Sequence, residues 1–167
     1  MNDSENIFKS IMEKNQDRIY RICCYYVSSK EDRKDLYQEV FQNIWRGLNH
    51  FRGDSAVSTW IFRITVNTAL TFITKKKKEK KRMKEYSNFL SSNEDNQKVE
   101  DKYKEINILH GAIAQLPVVD MIIMSLVLED TNSKEIAKIS GLTETNVRVR
   151  IHRAKAKLKE LIEGGKS

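Results

Sequence analysis

The sequence predicts an all-α protein built from two small helical domains that are joined by a flexible basic linker. Helix-forming residues dominate the 167 positions, and there are only one proline and six glycines. Apolar residues recur every three or four positions, whereas no run alternates with the period of a strand. A polar stretch with almost no apolar periodicity divides the chain. We therefore expect domains at residues 1–84 and 106–167 and a linker at residues 85–105.

Composition restricts the class of protein further. The chain is 40% hydrophobic, which suffices for packed cores, and its formal net charge of +7 favours a polyanionic partner. The polar start MNDSENIFKS does not resemble a signal peptide, and no apolar run approaches the length of a membrane span. These features predict a cytoplasmic protein.

The cysteines are Cys23 and Cys24, which are adjacent in an apolar helical stretch. Neighbouring side chains on a helix point apart, so we expect two buried free thiols in a reducing compartment. No histidine or second cysteine pair stands at metal-ligand spacing, and we expect neither a metal nor a cofactor.

The first domain begins with one long or broken helix that ends before Ser28 and Ser29, followed by a second helix from about Lys30 to Leu48. The predicted buried side of the second helix consists of Leu36, Val40, Phe41, Ile44, Trp45 and Leu48. Its other side carries a continuous polar stripe of Asp35, Gln38, Glu39, Gln42 and Arg46. Most such stripes are simply solvated, and the residues alone leave that alternative open.

The next helix, from about Val57 to Lys77, follows a loop that contains Gly53 and the turn-forming Asp54. Its predicted inner side is Val57, Ile61, Ile64, Thr68 and Phe72. A second stripe, formed by Trp60, Arg63, Asn67, Thr71 and Thr74, recurs at intervals of three and four residues. An aromatic ring, a guanidinium and an amide on one face can stack on and hydrogen-bond exposed bases. The alternative is a Trp60 that belongs to the core.

The run Lys75–Lys84, KKKKEKKRMK, contains eight cations and one anion. If it extends the preceding helix, it can lie along a phosphate backbone with salt-sensitive affinity.

The second domain is predicted to start with an amphipathic helix that carries Ile106, Leu109, Ile113 and Leu116 and stops at Pro117. A helix over about Val118–Leu128 follows. It supplies Ile122, Ile123, Leu126 and Val127 to the core.

The segment Thr131–Leu161 has the pattern of a helix-turn-helix. Asn132 is a predicted N-cap with Glu135 three residues later, Gly141 supplies a sharp turn, and Thr143 is the N-cap of the second helix. The apolar stripe of that helix is Val147, Ile151, Ala154, Leu158 and Leu161.

The opposite face of this second helix carries Thr145, Asn146, Arg148, Val149, His152 and Arg153. From Leu142 to Lys159 there are three Arg and three Lys against one Glu. Because Arg pairs with guanine, Asn with adenine and Lys with phosphate, such a face suits a DNA major groove. A solvated helix with a basic face is the simpler alternative.

Three motifs resemble one known family. DLYQEVFQNIW at Asp35–Trp45, FRGDSAVSTWIFRITVNTA at Phe51–Ala69, and LP, EIA and NVRVRIHRAKAKL in the last third occur in the order found in the extracytoplasmic-function (ECF) sigma factors of the sigma-70 family. The similarity covers nearly the whole chain. It implies sigma region 2 followed by the helix-turn-helix of region 4. Val149 stands where the family often has a small polar residue.

The resemblance implies a role for each polar face. Asp35, Gln38, Glu39 and Gln42 correspond to residues that bind core RNA polymerase at its β′ clamp helices. Arg52, Gly53, Asp54, Ser55, Trp60, Arg63 and Asn67 correspond to the segment that opens and reads the minus-ten element. Thr145, Asn146, Arg148, Val149, His152 and Arg153 correspond to the positions that read the minus-thirty-five element.

The implied partners are core RNA polymerase, including its β flap, promoter DNA and an anti-sigma factor, with no small-molecule substrate. Other functional classes explain less of the chain. An autonomous helix-turn-helix repressor or activator leaves the Asp35–Glu39 stripe and the Trp60 face without a role. A fused nuclease or recombinase needs clustered acids or a nucleophile in residues 1–73, where the acids are scattered. A polymerase inhibitor needs no recognition helix. The resemblance therefore predicts a sigma factor, which binds core RNA polymerase, directs it to specific promoters and helps to open the minus-ten region, and which is not itself an enzyme.

Overall fold

The computed structural model describes residues 3–87 and 104–165, which form seven helices and, within these two ranges, no strand. The first three helices are α1 (Asp3–Tyr26), α2 (Lys30–Leu48) and α3 (Val57–Ser87). The remaining four are α4 (Lys104–Ile113), α5 (Val118–Val127), α6 (Ser133–Ser140) and α7 (Glu144–Gly164). The all-α prediction is confirmed. The predicted flexibility of the linker concerns residues that lie largely outside the described ranges.

Helices α1, α2 and α3 pack against one another around an apolar centre. Ile19, Leu36, Val40, Ile61 and Phe62 are completely buried there. Removing one such side chain from water contributes about 1.5–3 kcal/mol, so this centre is the main source of stability in the first half of the chain. The side chain of Ser29 accepts a hydrogen bond from the backbone N–H of Asp32 at 3.0 Å, which fixes the start of α2.

Helix α7 packs against α4, α5 and α6 and organises the second half. Ile113, Ile123, Leu126, Ile136 and Val147 are completely buried in this core. The predicted buried stripe of α7 is confirmed in Val147, Ala154 and Leu158, while Ile151 and Leu161 are half-buried.

Several predictions about the first three helices need correction. Helix α1 is one long helix, which is the first of the two forms that the sequence left open. Helix α3, in contrast, runs ten residues beyond its predicted end near Lys77, because the charged run contains no helix stop. Phe41 and Trp45, predicted to be buried, are 39% and 41% exposed, although the Phe8 ring of α1 packs edge-on against both. Val57 is also exposed, because it lies in the first turn of α3 at the edge of the bundle.

The cysteine prediction holds for Cys23, which is fully buried and free, whereas Cys24 is free but only half-buried. Burial raises the pKa of the Cys23 thiol to about 12. The thiol therefore stays protonated and packs as a small apolar group.

The two halves of the chain contact each other, with α1 against α4 and α5 and with α3 against α6. At the centre of this contact lies Glu129, in the turn after α5, whose side chain is only 4% exposed. Its carboxylate accepts hydrogen bonds from Arg21 Nε at 2.9 Å and from the Tyr25 hydroxyl at 3.2 Å. Burial and the adjacent carboxylate raise the pKa of Tyr25 to about 12, so the phenol remains a donor.

Two further hydrogen bonds flank Glu129. The hydroxyls of Tyr26 and Ser125 are 3.2 Å apart in a buried position, and Arg18 donates to the Thr131 hydroxyl. Asp130, between Glu129 and Thr131, adopts a left-handed φ of 56°, which aspartate tolerates and which closes the turn without a glycine. Glu129 and Thr131 in this turn thereby accept hydrogen bonds from side chains of α1.

Reversing the charge of Glu129 is expected to separate the two halves. In Glu129→Lys an ammonium at a position that is only 4% exposed would lie beside the Arg21 guanidinium with no carboxylate to pair with, and an unpaired buried charge is strongly destabilising. We expect a larger radius of gyration than that of the unchanged chain in small-angle X-ray scattering, with helical circular dichroism retained. Glu160→Lys is the matched control, because Glu160 is exposed on α7 and has the same charge change. An unchanged scattering profile for Glu129→Lys would contradict this role.

Candidate functional site

The polar stripe of α2 forms one wall of an open concavity on the first half of the molecule. Asp35, Gln38 and Gln42 are exposed and Glu39 is half-buried, as required of a surface that contacts another macromolecule. Together with Asn43, Arg46 and Lys75 they line a volume of about 320 Å³. The structure thus brings all four predicted polymerase-binding residues to one face and adds Lys75 of α3 to its rim.

Two side chains hold α3 beside this stripe. Asn43 donates to the Thr68 hydroxyl at 3.0 Å, and Lys76 pairs with Asp32 at 3.0 Å. The hydrogen bond to Asp32 raises the pKa of Lys76. The sequence analysis did not predict these contacts. The lysine run in α3 and the acidic residues in the first turn of α2 are visible in the sequence, but the sequence does not show which of them pair.

The second predicted face combines the loop after α2 with the first half of α3. Arg52, Gly53 and Asp54 are exposed and Ser55 is half-buried. Gly53 has φ 76°, and no atom lies within 4 Å of where a Cβ would be. Backbone conformation, not lack of space, therefore favours glycine at this position.

Trp60 is half-buried, and its ring lies 5.0 Å from that of Phe51. It also covers Gly47, where an added Cβ would meet Trp60 Cζ2 at 3.0 Å. Trp60 is thus partly a core residue and partly a surface residue. Its indole packs against Phe51 and Gly47, and the rest of its surface is exposed to solvent. Gly47 is a positioning residue that the sequence analysis missed, since the close approach involves a helix 13 positions away.

Arg63 and Asn67 are exposed one turn apart on the same side of α3. Arg63 Nη2 donates to the backbone carbonyl of Lys138 on α6 at 2.5 Å, and Ser58 donates to the Glu135 carboxylate at 3.4 Å. The hydroxyls of Thr71 and Thr74 donate to carbonyls of their own helix. In this arrangement α6 therefore lies against part of the predicted minus-ten face.

The helix-turn-helix has the predicted caps. The side chain of Asn132 accepts from the N–H of Glu135 at 2.9 Å, and that of Thr143 accepts from the N–H of Asn146 at 3.2 Å. Gly141 ends α6 with a left-handed φ of 77°. These three features fix the angle between α6 and α7.

The outer face of α7 is open, and all six predicted positions are exposed: Thr145, Asn146, Arg148, Val149, His152 and Arg153. Arg148 is held by Glu144 at 2.6 Å, one turn earlier on the same helix. The carboxamide oxygen of Asn146 accepts from Arg150 Nε at 3.0 Å. Both predicted base-reading groups are thereby positioned by neighbours on α7.

Arg150 is a second residue that the sequence analysis missed. Besides Asn146 it binds Asp120 of α5 at 2.8 Å, in a pair whose side chains are 35% and 16% exposed. This pair fixes α7 relative to α5 and orients Asn146. The spacing of four residues between Asn146 and Arg150 allows their contact to be predicted from the sequence. The contact between Arg150 and Asp120 could not be predicted in this way, because the two are 30 positions apart.

Within residues 3–87 and 104–165, no group of three or more His, Cys, Asp or Glu side chains could hold a metal ion. Among the described helices, none combines the length and apolar character needed to cross a membrane.

Comparison with known proteins identifies both halves. Residues 11–79 match the model of sigma-70 region 2, and residues 106–158 match that of sigma-70 region 4. The RNA polymerase sigma factor SigV of Bacillus subtilis (strain 168) is 32% identical over 145 residues, which cover 86% of this chain and 83% of that protein. The ECF RNA polymerase sigma-E factor of Escherichia coli (strain K12) is 31% identical over 163 residues, covering 90% and 84%.

Two solved structures share the fold at 18% sequence identity. CnrH, in complex with the cytosolic domain of CnrY, has a TM-score of 0.72 over 96% of this chain and 90% of that one. The sigma factor RpoE of Bartonella quintana, in complex with the anti-sigma factor NepR, has a TM-score of 0.68 over 93% and 96%. With two region matches in order and relatives aligned over most of their length, the chain belongs to the sigma-70 family and is an ECF-type RNA polymerase sigma factor, a transcription initiation factor.

Proposed function

We propose that the protein directs core RNA polymerase to promoters through three surfaces, one that binds the polymerase and two that read DNA. The observation that carries this proposal is the exposure of the α2 stripe and of the outer face of α7, together with the exposed Arg63 and Asn67 on the Trp60 face, part of which α6 contacts. The first half has the α2 stripe and the Trp60 face, and the second half has α7.

The α2 stripe is proposed to bind the β′ clamp helices through Asp35, Gln38, Glu39 and Gln42. Two carboxylates and two amides on one concave face suit a partner that offers cations and hydrogen-bond donors. The second half is proposed to contact the β flap, which would set the distance between the two DNA-reading units.

The loop 52–55 and the α3 side chains Trp60, Arg63 and Asn67 are proposed to hold an unpaired base of the minus-ten element. Flipping a base costs a few kcal/mol, which stacking and hydrogen bonds must recover. The half-open indole of Trp60 supplies a stacking surface, and Asn67 can hydrogen-bond a Watson–Crick edge from the same side of the helix. Gly53 permits the loop backbone to approach the strand closely.

The outer face of α7 is proposed to enter the major groove at the minus-thirty-five element. Thr145, Asn146 and Arg148 lie in its first turns, where a recognition helix contacts bases, and Val149, His152 and Arg153 extend the contact. This function takes place where the polymerase and the chromosome are, so the protein is assigned to the cytoplasm. The catalysis belongs to the polymerase, and the protein itself needs no cofactor or small-molecule substrate.

An anti-sigma factor is proposed as a further partner. Both structural neighbours were solved in complexes, CnrH with CnrY and RpoE with the anti-sigma factor NepR. The exposed α2 stripe and α7 face are the surfaces that such a protein must cover to block the polymerase and DNA.

Run-off transcription tests the function directly. Core polymerase with this protein should yield discrete promoter-dependent transcripts from genomic fragments, and core polymerase alone should not. Glu39→Lys should abolish core association and these transcripts, since it reverses a charge in the binding face. Glu13→Lys, an exposed change on α1, should leave both intact. Co-purification of Glu39→Lys with core polymerase at the unchanged level would refute the assignment of the stripe.

Arginine truncation on α7 tests the groove assignment. Arg148→Ala and Arg153→Ala should each weaken binding to the upstream element by about 1–3 kcal/mol if the arginine is bidentate to a base. A base contact relaxes preference at one promoter position, whereas a phosphate contact weakens all sequences alike. Lys14→Ala is the control, because Lys14 is an exposed residue of α1 outside the proposed DNA-binding faces. If neither arginine matters in quantitative promoter binding, α7 does not read this element.

Affinity capture from native cytosol and membrane fractions tests the anti-sigma proposal. We expect a partner besides polymerase, and its complex should exclude core polymerase because both need the α2 stripe. Recovery of polymerase alone would instead indicate control at the level of expression.

A further inference from the structure

The carboxamide of Asn146 on α7 is held by a series of polar contacts that begins on α5. Its oxygen Oδ1 accepts a hydrogen bond from Arg150 Nε at 3.0 Å, and Arg150 Nη1 pairs with Asp120 Oδ1 at 2.8 Å. Asp120 belongs to the first turn of α5, and its side chain is only 16% exposed. The contact that holds Asn146 therefore has an anchor outside α7.

The chemistry of arginine decides which end of the carboxamide faces the protein. A guanidinium has N–H donors and no acceptor, so only the oxygen of an amide can bind it. Turning the Asn146 amide over would place its NH2 group against Arg150 Nε, and two donors would then oppose each other. Arg150 cannot easily move away, because it would leave the largely buried Asp120 carboxylate without its partner. The oxygen of Asn146 consequently stays on the Arg150 side.

This orientation limits what Asn146 can offer to a base. The residue is exposed on the face of α7 that is proposed to enter the major groove. Its nitrogen Nδ2 keeps two N–H donors for a ligand. The oxygen has a second lone pair, but a base amino group bonded to it would lie beside the N–H groups of Arg150, and donors repel one another. Asn146 therefore presents donors to the groove.

The four bases differ in the acceptors and donors of their major-groove edges. Guanine presents two acceptors, N7 and O6, whereas adenine presents the acceptor N7 and the amino donor N6. Cytosine presents an amino donor, and thymine has one acceptor beside its methyl group. An unrestrained asparagine pairs with adenine because it uses its oxygen and its nitrogen together. With the oxygen of Asn146 engaged, the edge that matches its two donors is that of guanine.

We propose that Asp120 and Arg150 make Asn146 a reader that offers only donors, and that Asn146 thereby selects guanine and rejects adenine at one position of the minus-thirty-five element. This proposal rests on the proposed function, to which it adds the base at that position and the residues that determine it. Asp120 and Arg150 are positioning residues, because they act through Asn146. The residue type alone indicated adenine, since the sequence does not show that the oxygen is engaged.

The test measures base preference with polymerase holoenzyme assembled from core enzyme and the full chain. Affinity is measured for promoter fragments in which each position of the minus-thirty-five element carries each of the four base pairs in turn. Asn146→Ala identifies the position that the amide reads, because a lost base contact relaxes preference at that position. We expect the unchanged protein to prefer a G·C pair over an A·T pair there by about tenfold, within the range for one bidentate base contact.

A second comparison tests the role of Arg150. Removing Arg150 alone would leave the Asp120 carboxylate unpaired, so Arg150→Met is combined with Asp120→Asn, which removes both charges. Arg and Met have similar helix propensities, so α7 should be retained in circular dichroism. The oxygen of Asn146 is then free, and we expect the preference at the same position to change from G·C to A·T. Asp120→Asn alone is the matched control and should keep G·C, because an amide oxygen can still accept from Arg150.

Every other outcome overturns the proposal. If the unchanged protein prefers any pair except G·C at the position that Asn146→Ala identifies, the carboxamide is not restricted to donors. If Asn146→Ala relaxes no single position, Asn146 reads no base. If a folded double variant keeps G·C, Arg150 does not determine the choice. Should the double variant fail to fold, the comparison of the unchanged protein with Asn146→Ala still decides between guanine and the other bases.

The same measurement separates this proposal from the proposed function. If the unchanged holoenzyme shows base preference at other positions of the element but none that depends on Asn146, the proposed function stands and the assignment of Asn146 fails. If it shows no base preference at any position of the element, the assignment of α7 to that element fails as well.

Discussion

The buried carboxylate of Glu129 is the constraint on which the relation between the two halves of this sigma factor depends. Apolar burial would hold the halves together in many orientations, because it has no direction, and the buried apolar side chains form one continuous cluster. Glu129 selects one of them, since a carboxylate that is only 4% exposed must keep its donors Arg21 and Tyr25. Separating the halves returns the carboxylate to water, whereas Arg21 is already 57% exposed. A buried ion pair of this kind is weak evidence for stability, so we assign Glu129 the orientation of the halves and not the strength of their contact.

Helix α3 imposes the second constraint, because its 31 residues carry three kinds of surface on one rigid axis. Ile61 and Phe62 face the core, Arg63 and Asn67 face outward, and the basic end extends past the bundle. A helix keeps its surfaces at a fixed rise and rotation, so positioning one of them on a ligand positions the others. Gly47 also helps to position a surface of α3, because it lets Trp60 lie close to α2 and so fixes the indole against the bundle.

Local signals in the sequence predicted most of the elements. The predicted N-caps Asn132 and Thr143 and the left-handed Gly141 lie where side-chain chemistry and backbone freedom require them. Ser29, predicted only to interrupt the first helix, also caps α2. The end of α3 was predicted ten residues too early, near Lys77, although the charged run there contains no residue that stops a helix. Phe41 and Trp45 were predicted to be buried because periodicity identifies an apolar stripe but not how far the neighbouring helix covers it.

The candidate faces were predicted more completely than the contacts that hold them. Every predicted residue on α7 is exposed, and the four on α2 share one face, because helical spacing alone decides which residues lie together. The contacts that hold these faces join residues that are distant in sequence, and no local pattern encodes them: Arg150 with Asp120, Gly47 with Trp60, and Arg21 with Glu129.

The contact of Arg63 could not be predicted from a local pattern either, because its guanidinium donates to the distant Lys138 carbonyl. The bond from Arg63 to this carbonyl is charge-assisted, as a bond from Arg63 to a phosphate would be. Exchange of one for the other therefore gains little by itself, and removal of α6 from this face also requires the contacts between the two halves to open.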